Sequence, residues 1–350
     1  MDVAALERRA RERLDAAAYD YYAGGADDEL TLADNVAAWT RWRLRPKVLR
    51  DVSAVDPATT VLGVPVRTPV LVAPTAYQRM AHDEGEVATA RGAAAVGTLL
   101  CVSTLATVAL DEVAAAAPDA PRWFQLYVRR DRAWTAELVA RAAAAGYRAI
   151  VLTVDVPVLG RRWRDERNDF TLPTGMVMAN VGTAPPTVKG SGLAAYAASE
   201  FDPALTFDDV GWLCSLSDLP VVVKGVLRGD DAAAAVDAGA AAVVVSNHGA
   251  RQLDTAIATA DALPEVAAAV GDRAEVYVDG GIRRGTDVVK AVALGARAVL
   301  VGRPVLWGLA TGGADGVAAV LTELTEEVVR ALMLCGAATL DDVDADLLVR

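Results

Sequence analysis

The sequence contains few of the residues that build disulfide scaffolds and metal sites. It has three cysteines, Cys101, Cys214 and Cys335, which lie far apart along the chain, and two histidines. No Cys-x-x-Cys or His-x-x-x-His pattern occurs. We therefore expect neither a disulfide framework nor a metal site. Sparse cysteines of this kind are typical of a reducing compartment such as the cytoplasm.

The chain also lacks an apolar leader, long apolar runs and an excess of positive charge. Its first residues are charged, no apolar run approaches the ~20 residues that span a bilayer, and it ends in LLVR, which is not a peroxisomal address. The net charge of −12 opposes binding to nucleic acid and to anionic membranes. We therefore predict a cytoplasmic protein without nucleic-acid or membrane partners. An anionic substrate would need a local cluster of cations.

What the sequence does contain is a regular alternation of short apolar runs and Ala-rich segments with helical spacing. The eight runs cover residues 69–74, 98–103, 123–127, 149–155, 220–225, 241–247, 275–281 and 298–303. Strands that are apolar throughout are buried on both faces, which is typical of parallel sheets. The pattern predicts an α/β fold, a closed (β/α)8 TIM barrel that forms a single domain over residues 1–350. An open, doubly wound sheet is the alternative.

Two segments fall outside the alternation. Residues 1–50 are predicted to form a helical extension before the barrel. Residues 165–205 form a long loop insertion after the fourth strand. A loop of this length within a compact domain is usually a lid or a mobile segment.

The carboxyl ends of the predicted strands, where the active sites of such barrels lie, carry mostly polar residues. In chain order the residues at these ends are Pro74, Thr75, Ala76, Ser103, Gln125, Tyr127, Thr153, Asp155, Lys224, Ser246, Asn247, His248, Asp279, Gly280, Gly281, Gly302 and Arg303. A purely structural barrel has no need for a polar group at every strand end. Their convergence on one rim predicts a large polar ligand.

His248, after the sixth strand, is the candidate proton acceptor, since histidine titrates near neutral pH. An isolated loop histidine more often caps a helix, but the position on the rim favours catalysis. Asp155 ends the fourth strand and would stabilise the imidazolium, unless it is a capping residue. His82 precedes a predicted helix and is interpreted as a helix-entry residue.

Arg162 and Arg251 are candidates to bind a carboxylate, which a guanidinium recognises in a planar, bidentate manner. The cluster of Arg161, Arg162 and Arg164 leaves open that one or two of them are only solvated. Lys224 is either a cation that stabilises negative charge on a ligand or a Schiff-base lysine of the aldolase kind.

A phosphate site is predicted after the seventh and eighth strands. There DGGIRRGTD and Gly302-Arg303 combine glycines, cations and helix N-termini. The chain has no Gly-x-Gly-x-x-Gly and no Walker loop, which disfavours NAD in a Rossmann site and ATP in a P-loop.

The motif SNHGARQLD (246–254) is the most specific feature of the chain. It occurs in order with APTAYQRMAH, WFQLY, LTVDVPVLGRR, VVKG, DGGIRRGTD and GRP. From about YDYYAGG to GRPVLWGLA, the sequence resembles the FMN-dependent 2-hydroxy acid oxidases and dehydrogenases, which include glycolate, lactate and hydroxymandelate oxidases. The resemblance implies oxidation of an (S)-2-hydroxy acid to the 2-oxo acid, with oxygen reduced to hydrogen peroxide. It also implies a homo-oligomer, a tetramer or an octamer.

The resemblance implies roles for individual residues. His248 would be the base, with Asp155 beside it, and Tyr127 would hydrogen-bond the reacting hydroxyl. Tyr21, Arg162 and Arg251 would bind the substrate carboxylate. Ala76, Ser103, Gln125, Thr153 and Lys224 would surround the FMN ring, and Asp279, Gly281, Arg283, Gly302 and Arg303 would bind its ribityl and phosphate portions. Pro74, Thr75, Ser246 and Gly280 are also expected to bind FMN.

Two departures from the plant glycolate oxidases bear on the substrate. Leu105 stands where those enzymes have tryptophan, and Tyr77 replaces a methionine. The smaller residue at 105 predicts a lactate-like or mandelate-like substrate in preference to glycolate.

Several alternatives remain at this point. A dehydrogenase with a quinone or protein acceptor, or a lactate monooxygenase, would use the same site. An FMN barrel isomerase, a Schiff-base aldolase that uses Lys224 and a non-catalytic barrel are the more distant possibilities.

Overall fold

The computed structural model describes residues 2–350, and it begins with a helical layer that precedes the barrel. This layer consists of α1 (Val3–Arg13), α2 (Ala16–Ala23) and α3 (Leu30–Arg41), followed by the strand β1 (Arg43–Leu44) and the hairpin β2 (Thr59–Val61) and β3 (Val64–Val66). Asp2 and Asp15 cap the first two helices by accepting backbone N–H groups, as N-cap aspartates do. The predicted helical extension is therefore present up to residue 41.

Eight parallel strands close into a barrel. They are β4 (Val70–Val72), β5 (Leu100–Ser103), β6 (Arg122–Leu126), β7 (Ile150–Thr153), β8 (Val221–Val226), β9 (Ala242–Val245), β10 (Glu275–Asp279) and β11 (Ala298–Val301). Neighbouring strands follow each other in sequence, and β11 pairs with β4 to complete the ring. The predicted (β/α)8 barrel is confirmed, and the open-sheet alternative is wrong.

Helices surround the barrel and connect its strands. They are α4 (Glu86–Val96), α5 (Leu110–Ala116), α6 (Arg132–Ala144), α7 (Trp163–Arg167), α8 (Gly192–Glu200), α9 (Phe207–Cys214), α10 (Gly229–Asp237), α11 (Thr259–Val270), α12 (Gly285–Ala293) and α13 (Arg303–Cys335). The chain ends in β12 (Leu348–Val349), which pairs with β1.

One helix among residues 2–350, α13, is long and apolar enough to cross a membrane by length and composition alone. It is not a continuous helix, because Gly312 and Gly313 have non-helical backbone angles and kink it. It packs against α4, where Gly92 lies so close to Ala314 and Val317 that a Cβ would overlap them. More than half of its apolar stretch is buried in the protein, which is the packing of a core helix.

The insertion predicted to be a long loop is partly helical, which corrects that prediction. It contains α8, which Ser191 caps by accepting the N–H of Ala194. The end of α8 is joined to the loop after β6 by a bridge between Arg129 and Phe201 and by an Arg129–Glu200 ion pair. These contacts hold the second half of the insertion against the rim of the barrel.

The helical extension is fixed to the same rim. The side chain of Glu29, the N-cap residue of α3, makes no capping hydrogen bond. The Asp254 carboxylate caps the helix instead, since it accepts the backbone N–H groups of Asp28, Leu30 and Thr31. The side chains of Asn35 and Asn247 exchange two hydrogen bonds of 2.8 Å. The extension therefore forms part of the wall of the barrel mouth.

Candidate active site

A cleft opens at the carboxyl ends of the strands. Its lining includes most of the site residues predicted from the sequence, namely Tyr21, Pro74, Thr75, Ala76, Ser103, Leu105, Gln125, Tyr127, Thr153, Arg162, Lys224, His248, Arg251, Asp279, Gly280, Gly281, Arg283, Gly302 and Arg303. Asp155 and Ser246 lie behind this lining, in contact with His248 and Lys224. The other histidine, His82, lies outside the cleft against the kink at Gly313.

His248 lies in a tight turn directly after β9. Three consecutive residues, His248, Gly249 and Ala250, have φ of 58°, 61° and 63°, a left-handed conformation that is unfavourable for histidine and alanine. Two side chains stabilise the turn: the Ser246 hydroxyl accepts the N–H of His248, and the Asn247 carbonyl accepts that of Ala250. The SNHGA sequence thus forms a turn that directs the imidazole into the cleft.

The imidazole of His248 is oriented by a carboxylate. Its Nδ1 lies 2.8 Å from Oδ1 of Asp155, so Nδ1 carries the proton and Nε2 is left as the acceptor. Burial lowers the pKa of His248, against the opposing effect of Asp155, while Lys224 and Arg162 lower it further. The ring is therefore neutral at neutral pH, as a general base must be.

Asp155 remains ionised although it is buried. Burial raises its pKa, but His248 and Lys224 outweigh burial and the net pKa is lowered. A carboxylate at Nδ1 would stabilise the imidazolium that forms when Nε2 takes a proton.

The hydroxyl of Tyr127 lies 3.5 Å from Nε2 of His248. Burial raises the pKa of Tyr127 above its ordinary value, so the side chain is a phenol that can donate a hydrogen bond. Phe201 stacks on its ring, with a centroid distance of 4.5 Å. The Tyr127 hydroxyl and Nε2 of His248 can therefore contact the same group of a bound ligand.

Two arginines lie beside this pair. Arg251 donates to the backbone carbonyls of Tyr21 and Gly24, and its guanidinium lies 4.8 Å from the centre of the Tyr21 ring. Arg162 donates from Nε to the carbonyl of Arg251 at 3.2 Å. Burial, and then the charge of Arg251, lower the pKa of Arg162 to about 10. A buried and a half-buried guanidinium that line the same cleft form a site for an anion such as a carboxylate.

Lys224 also lines the cleft, near the carboxyl end of β8. Its ammonium is 3.1 Å from Oδ2 of Asp279 and donates to the Ser246 hydroxyl at 2.9 Å. Burial alone lowers the pKa of Lys224, but Asp279 and Asp155 outweigh it, and the net pKa is raised. A lysine held in its charged form is unsuited to Schiff-base formation, which needs the free amine.

Glycines and arginines meet after β10 and β11. Gly280 and Gly281 have φ of 94° and 78°, and a Cβ at 281 would lie 1.9 Å from the carbonyl oxygen of Asn35. Arg283 and Arg303 also line this part of the cleft, and burial lowers the pKa of both. Within residues 2–350, the buried Oδ1 of Asp279 has no hydrogen-bond partner. This donor and acceptor set fits a ligand with a phosphate and hydroxyl groups.

Arg303 has a second contact that the sequence did not indicate. Its guanidinium donates to the carbonyls of Tyr22, Gly24 and Gly249 at 2.8–3.0 Å. It therefore joins the end of α2 to the turn that carries His248.

Of the apolar wall of the cleft, sequence analysis predicted Leu105 and missed the other residues. The wall consists of Leu105, Val156, Leu159, Leu193 and Phe201. Leu193 and Phe201 belong to the insertion, and no local pattern in the sequence marks them as lining residues. Gln252 was also missed; its amide donates to the carbonyls of Asp155 and Val158 and so joins the loops after β7 and β9.

A closed barrel whose rim combines a histidine–carboxylate pair, a buried arginine pair and a separate phosphate-type site defines a barrel enzyme that acts on a small organic acid. The comparisons with known proteins identify the family. The model of the family described as FMN-dependent dehydrogenase matches residues 10–350.

The relatives cover nearly the whole chain. An L-lactate oxidase of a Nostoc species is 54% identical over 350 residues, which is 98% of this chain and 96% of that protein. Human 2-hydroxyacid oxidase 1 is 49% identical over 97% of this chain and 94% of its own. The crystal structure of mandelate oxidase with (S)-4-hydroxymandelic acid superposes with a TM-score of 0.93 at 46% identity, over 99% of this chain and 98% of that one.

The chain therefore belongs to the FMN-dependent 2-hydroxy acid oxidase family, and FMN is its cofactor. This confirms the predicted family, cofactor and reaction class.

Proposed function

We propose that the protein oxidises an (S)-2-hydroxy acid with a nonpolar side chain, lactate-like or mandelate-like, to the corresponding 2-oxo acid, with oxygen as the electron acceptor. The observation that carries the proposal is the position of the unprotonated Nε2 of His248. It faces the Tyr127 hydroxyl in a cleft that the Arg162–Arg251 pair also lines. A 2-hydroxy acid has a carboxylate next to a carbon that bears a hydroxyl, and these groups complement the two halves of the site.

In this proposal the chain performs three tasks. Arg162 and Arg251, with Tyr21, bind the substrate carboxylate. Tyr127 hydrogen-bonds the hydroxyl, and His248 takes a proton from the substrate at Nε2. Asp155 stabilises the resulting imidazolium. FMN, when bound, supplies the chemistry that accepts the two electrons.

The residues that would hold FMN fall into two groups. Glycines and cations after β10 and β11 suit the phosphate, and the N-terminus of α13 begins there. Lys224 suits negative charge on the reduced ring, since Ser246 and Asp279 hold it in its charged form. The other residues predicted to surround the ring are Ala76, Ser103, Gln125 and Thr153, and Pro74 and Thr75 are predicted to bind the cofactor beside them.

The apolar wall supports the substrate class. Leu105 is 4% exposed and lines the same cleft as Leu193 and Phe201, so a nonpolar side chain beside these residues would replace water. The names of the relatives, an L-lactate oxidase and a mandelate oxidase, agree with such a side chain.

The test combines pigment analysis with anaerobic kinetics. The protein should purify yellow and release FMN rather than FAD. Anaerobic mixing with L-lactate, (S)-mandelate and glycolate should reduce the flavin fastest with one of the first two, and (R)-mandelate is the control. Absence of reduction by all three acids would contradict the proposal.

The acceptor needs its own measurement. Admission of oxygen should reoxidise the flavin and yield one 2-oxo acid and one hydrogen peroxide per turnover. Reoxidation by quinone but not by oxygen would indicate a dehydrogenase. Release of acetate and carbon dioxide from lactate would indicate a monooxygenase.

The predicted homo-oligomer and cytoplasmic location remain predictions. Light scattering on the purified holoenzyme would measure the first, and fractionation of the source cells the second.

A further inference from the structure

Asp165 is a buried carboxylate that none of the proposed steps uses. It is 2% exposed and lies in the first turn of α7. Its Oδ2 has no hydrogen-bond partner within residues 2–350. A buried, poorly solvated carboxylate destabilises a fold unless an opposite charge compensates for it.

Burial raises the pKa of Asp165, and the charge of Arg162, followed by that of Arg251, opposes this rise without cancelling it. Nη1 of Arg162 lies 3.8 Å from Oδ2 of Asp165, and both side chains are almost completely buried. Among residues 2–350, Asp165 supplies the one carboxylate within ion-pair distance of Arg162. Such a pair is held by Coulomb attraction in surroundings that screen it weakly.

The other contacts of Arg162 involve neutral groups. Nε donates to the carbonyl of Arg251 at 3.2 Å, and the second terminal nitrogen donates to the Gln252 carbonyl at 3.4 Å. The neighbouring charge of Arg251 repels that of Arg162. Without Asp165, the buried charge of Arg162 would lie beside the like charge of Arg251 with no carboxylate to compensate for it until the substrate arrived.

We propose that Asp165 is a positioning residue: its buried carboxylate holds Arg162 charged and in place, and it leaves the arginine pair with the single net positive charge that a monocarboxylate substrate neutralises. The inference rests on the proposed function, because it assigns a role to a residue that acts through Arg162. It also narrows the substrate class to acids with one carboxylate.

The electrostatics give this role a signature in the pH dependence. Asp165 raises the pKa of Arg162, although burial and Arg251 leave it at about 10. Anion binding needs the guanidinium, so it is complete below this pKa and is lost as the pH rises through it. Removal of the Asp165 charge lowers the pKa of Arg162 further, and the alkaline loss of binding should move to lower pH.

The experiment titrates the FMN-loaded oxidised enzyme with phenylglyoxylate, a non-reacting 2-oxo acid, and follows the flavin absorbance from pH 7 to 10.5. Asp165→Asn should raise the dissociation constant on the order of 10-fold at pH 7. It should also shift the alkaline limb to lower pH. The matched control is Glu166→Gln, because Glu166 is the next residue of α7 and pairs at the surface with Arg161. This control should leave both quantities unchanged.

Equal or tighter binding of phenylglyoxylate by Asp165→Asn would overturn the proposal. That result would mean that the Asp165 carboxylate only repels the anionic ligand and does not position Arg162. Asp165→Glu retains the charge and gives a second measurement if the asparagine variant folds poorly. Its alkaline limb should stay at the wild-type pH. If the alkaline limb of Asp165→Glu moves to lower pH as far as that of Asp165→Asn, the proposal is also contradicted.

Arg162→Leu separates this inference from the proposed function. If Arg162→Leu binds phenylglyoxylate as tightly as the wild type, the carboxylate role of Arg162 is wrong. If Arg162→Leu weakens binding but Asp165→Asn does not, only the role of Asp165 is wrong. In the Arg162→Leu background, Asp165→Asn should cause no further loss, since its effect passes through the arginine.

Discussion

The two ends of the barrel are made from the same eight strands but differ in almost every physical respect. At the carboxyl end, a cleft holds buried charges, and the His248 turn has an unfavourable backbone conformation. At the amino end, the β2–β3 hairpin closes the barrel with Val61 and Val66, and Trp123 packs edge-on against Tyr277 with a centroid distance of 5.2 Å. Chemistry is confined to one end, and apolar packing to the other.

The two ends differ in how the carboxylates that they bury are paired. At the amino end, Glu275 accepts both the Tyr277 hydroxyl and the backbone N–H of Leu62, in the turn of the hairpin. At the carboxyl end, Asp155, Asp165 and Asp279 each keep one buried oxygen without a partner among residues 2–350. Incomplete pairing of this kind is costly for a fold but useful for a site that must bind a polar ligand. Substitutions at the two ends should therefore have separable effects.

The largest effect is expected from His248→Gln at the carboxyl end. Loss of a positioned base should slow anaerobic flavin reduction by roughly 10²–10⁴-fold, while FMN and phenylglyoxylate still bind. His82→Gln is the matched control, since the second histidine of the chain lies outside the cleft. Stopped-flow reduction with the best substrate measures the loss. Near-normal reduction would remove His248 from the mechanism, and apoprotein would make its role structural.

The complementary change at the amino end is Trp123→Ala. Because Trp123 is fully buried inside the barrel, the free energy of unfolding should fall by about 3–5 kcal/mol. The rate of flavin reduction per bound FMN should stay near the wild-type value. Denaturant unfolding and stopped-flow kinetics measure the two quantities, and Trp163→Ala at the partly exposed surface is the control. A large loss of rate in the protein that remains folded would show that the two ends are coupled.

The same contrast explains how much could be predicted from the sequence. The strands were predictable because each is a continuous apolar run, as in β9, where Ala242–Val245 is buried throughout. The polar rim was predictable because parallel strands bring their ends to one edge. His248, Arg162, Arg251 and Lys224 all follow strands, so their order in the chain already places them together.

The rest depends on contacts between distant parts of the chain. The Asn35–Asn247 pair joins residues that are 212 positions apart, and Asp254 caps a helix that begins 224 positions earlier, at Leu30. Leu193 and Phe201 line the cleft only because the insertion folds back on the rim. The closing hairpin was also missed, although the Leu62-Gly63 turn between two Val-rich segments is a local signal for it.

The pH dependence of kcat/KM is a further test of the site at the carboxyl end. Flavin reduction needs neutral His248, whose pKa burial places below its ordinary value of 6.5. The value of kcat/KM should therefore be maximal above this pKa and fall as the pH decreases through it. Asp155 opposes the effect of burial, so Asp155→Asn should move the acid limb to still lower pH.

The same variant should lower the maximal rate on the order of 10²-fold, because the imidazolium loses its carboxylate. Asp111→Asn, in an exposed pair with Arg141 on the outer helices, is the control. An acid limb that moves to higher pH would show that Asp155 does not raise the pKa of His248.

The smallest effect is expected on substrate selectivity. It tests whether the apolar wall at the carboxyl end selects the side chain of the substrate. Leu105 lines the cleft, and its backbone N–H donates to the Ser103 hydroxyl, which fixes the main chain at this position. Leu105→Trp fills the space proposed for the substrate side chain. A pocket distinguishes substrates that differ by such groups by roughly 10-fold or more, so the ratio of kcat/KM for L-lactate or (S)-mandelate to that for glycolate should fall by about this factor. Val158→Trp, at a rim position that is 68% exposed, is the matched control and should leave the ratio unchanged. If glycolate is already the best substrate of the wild type, or if Leu105→Trp slows all three acids equally, the wall does not select the substrate.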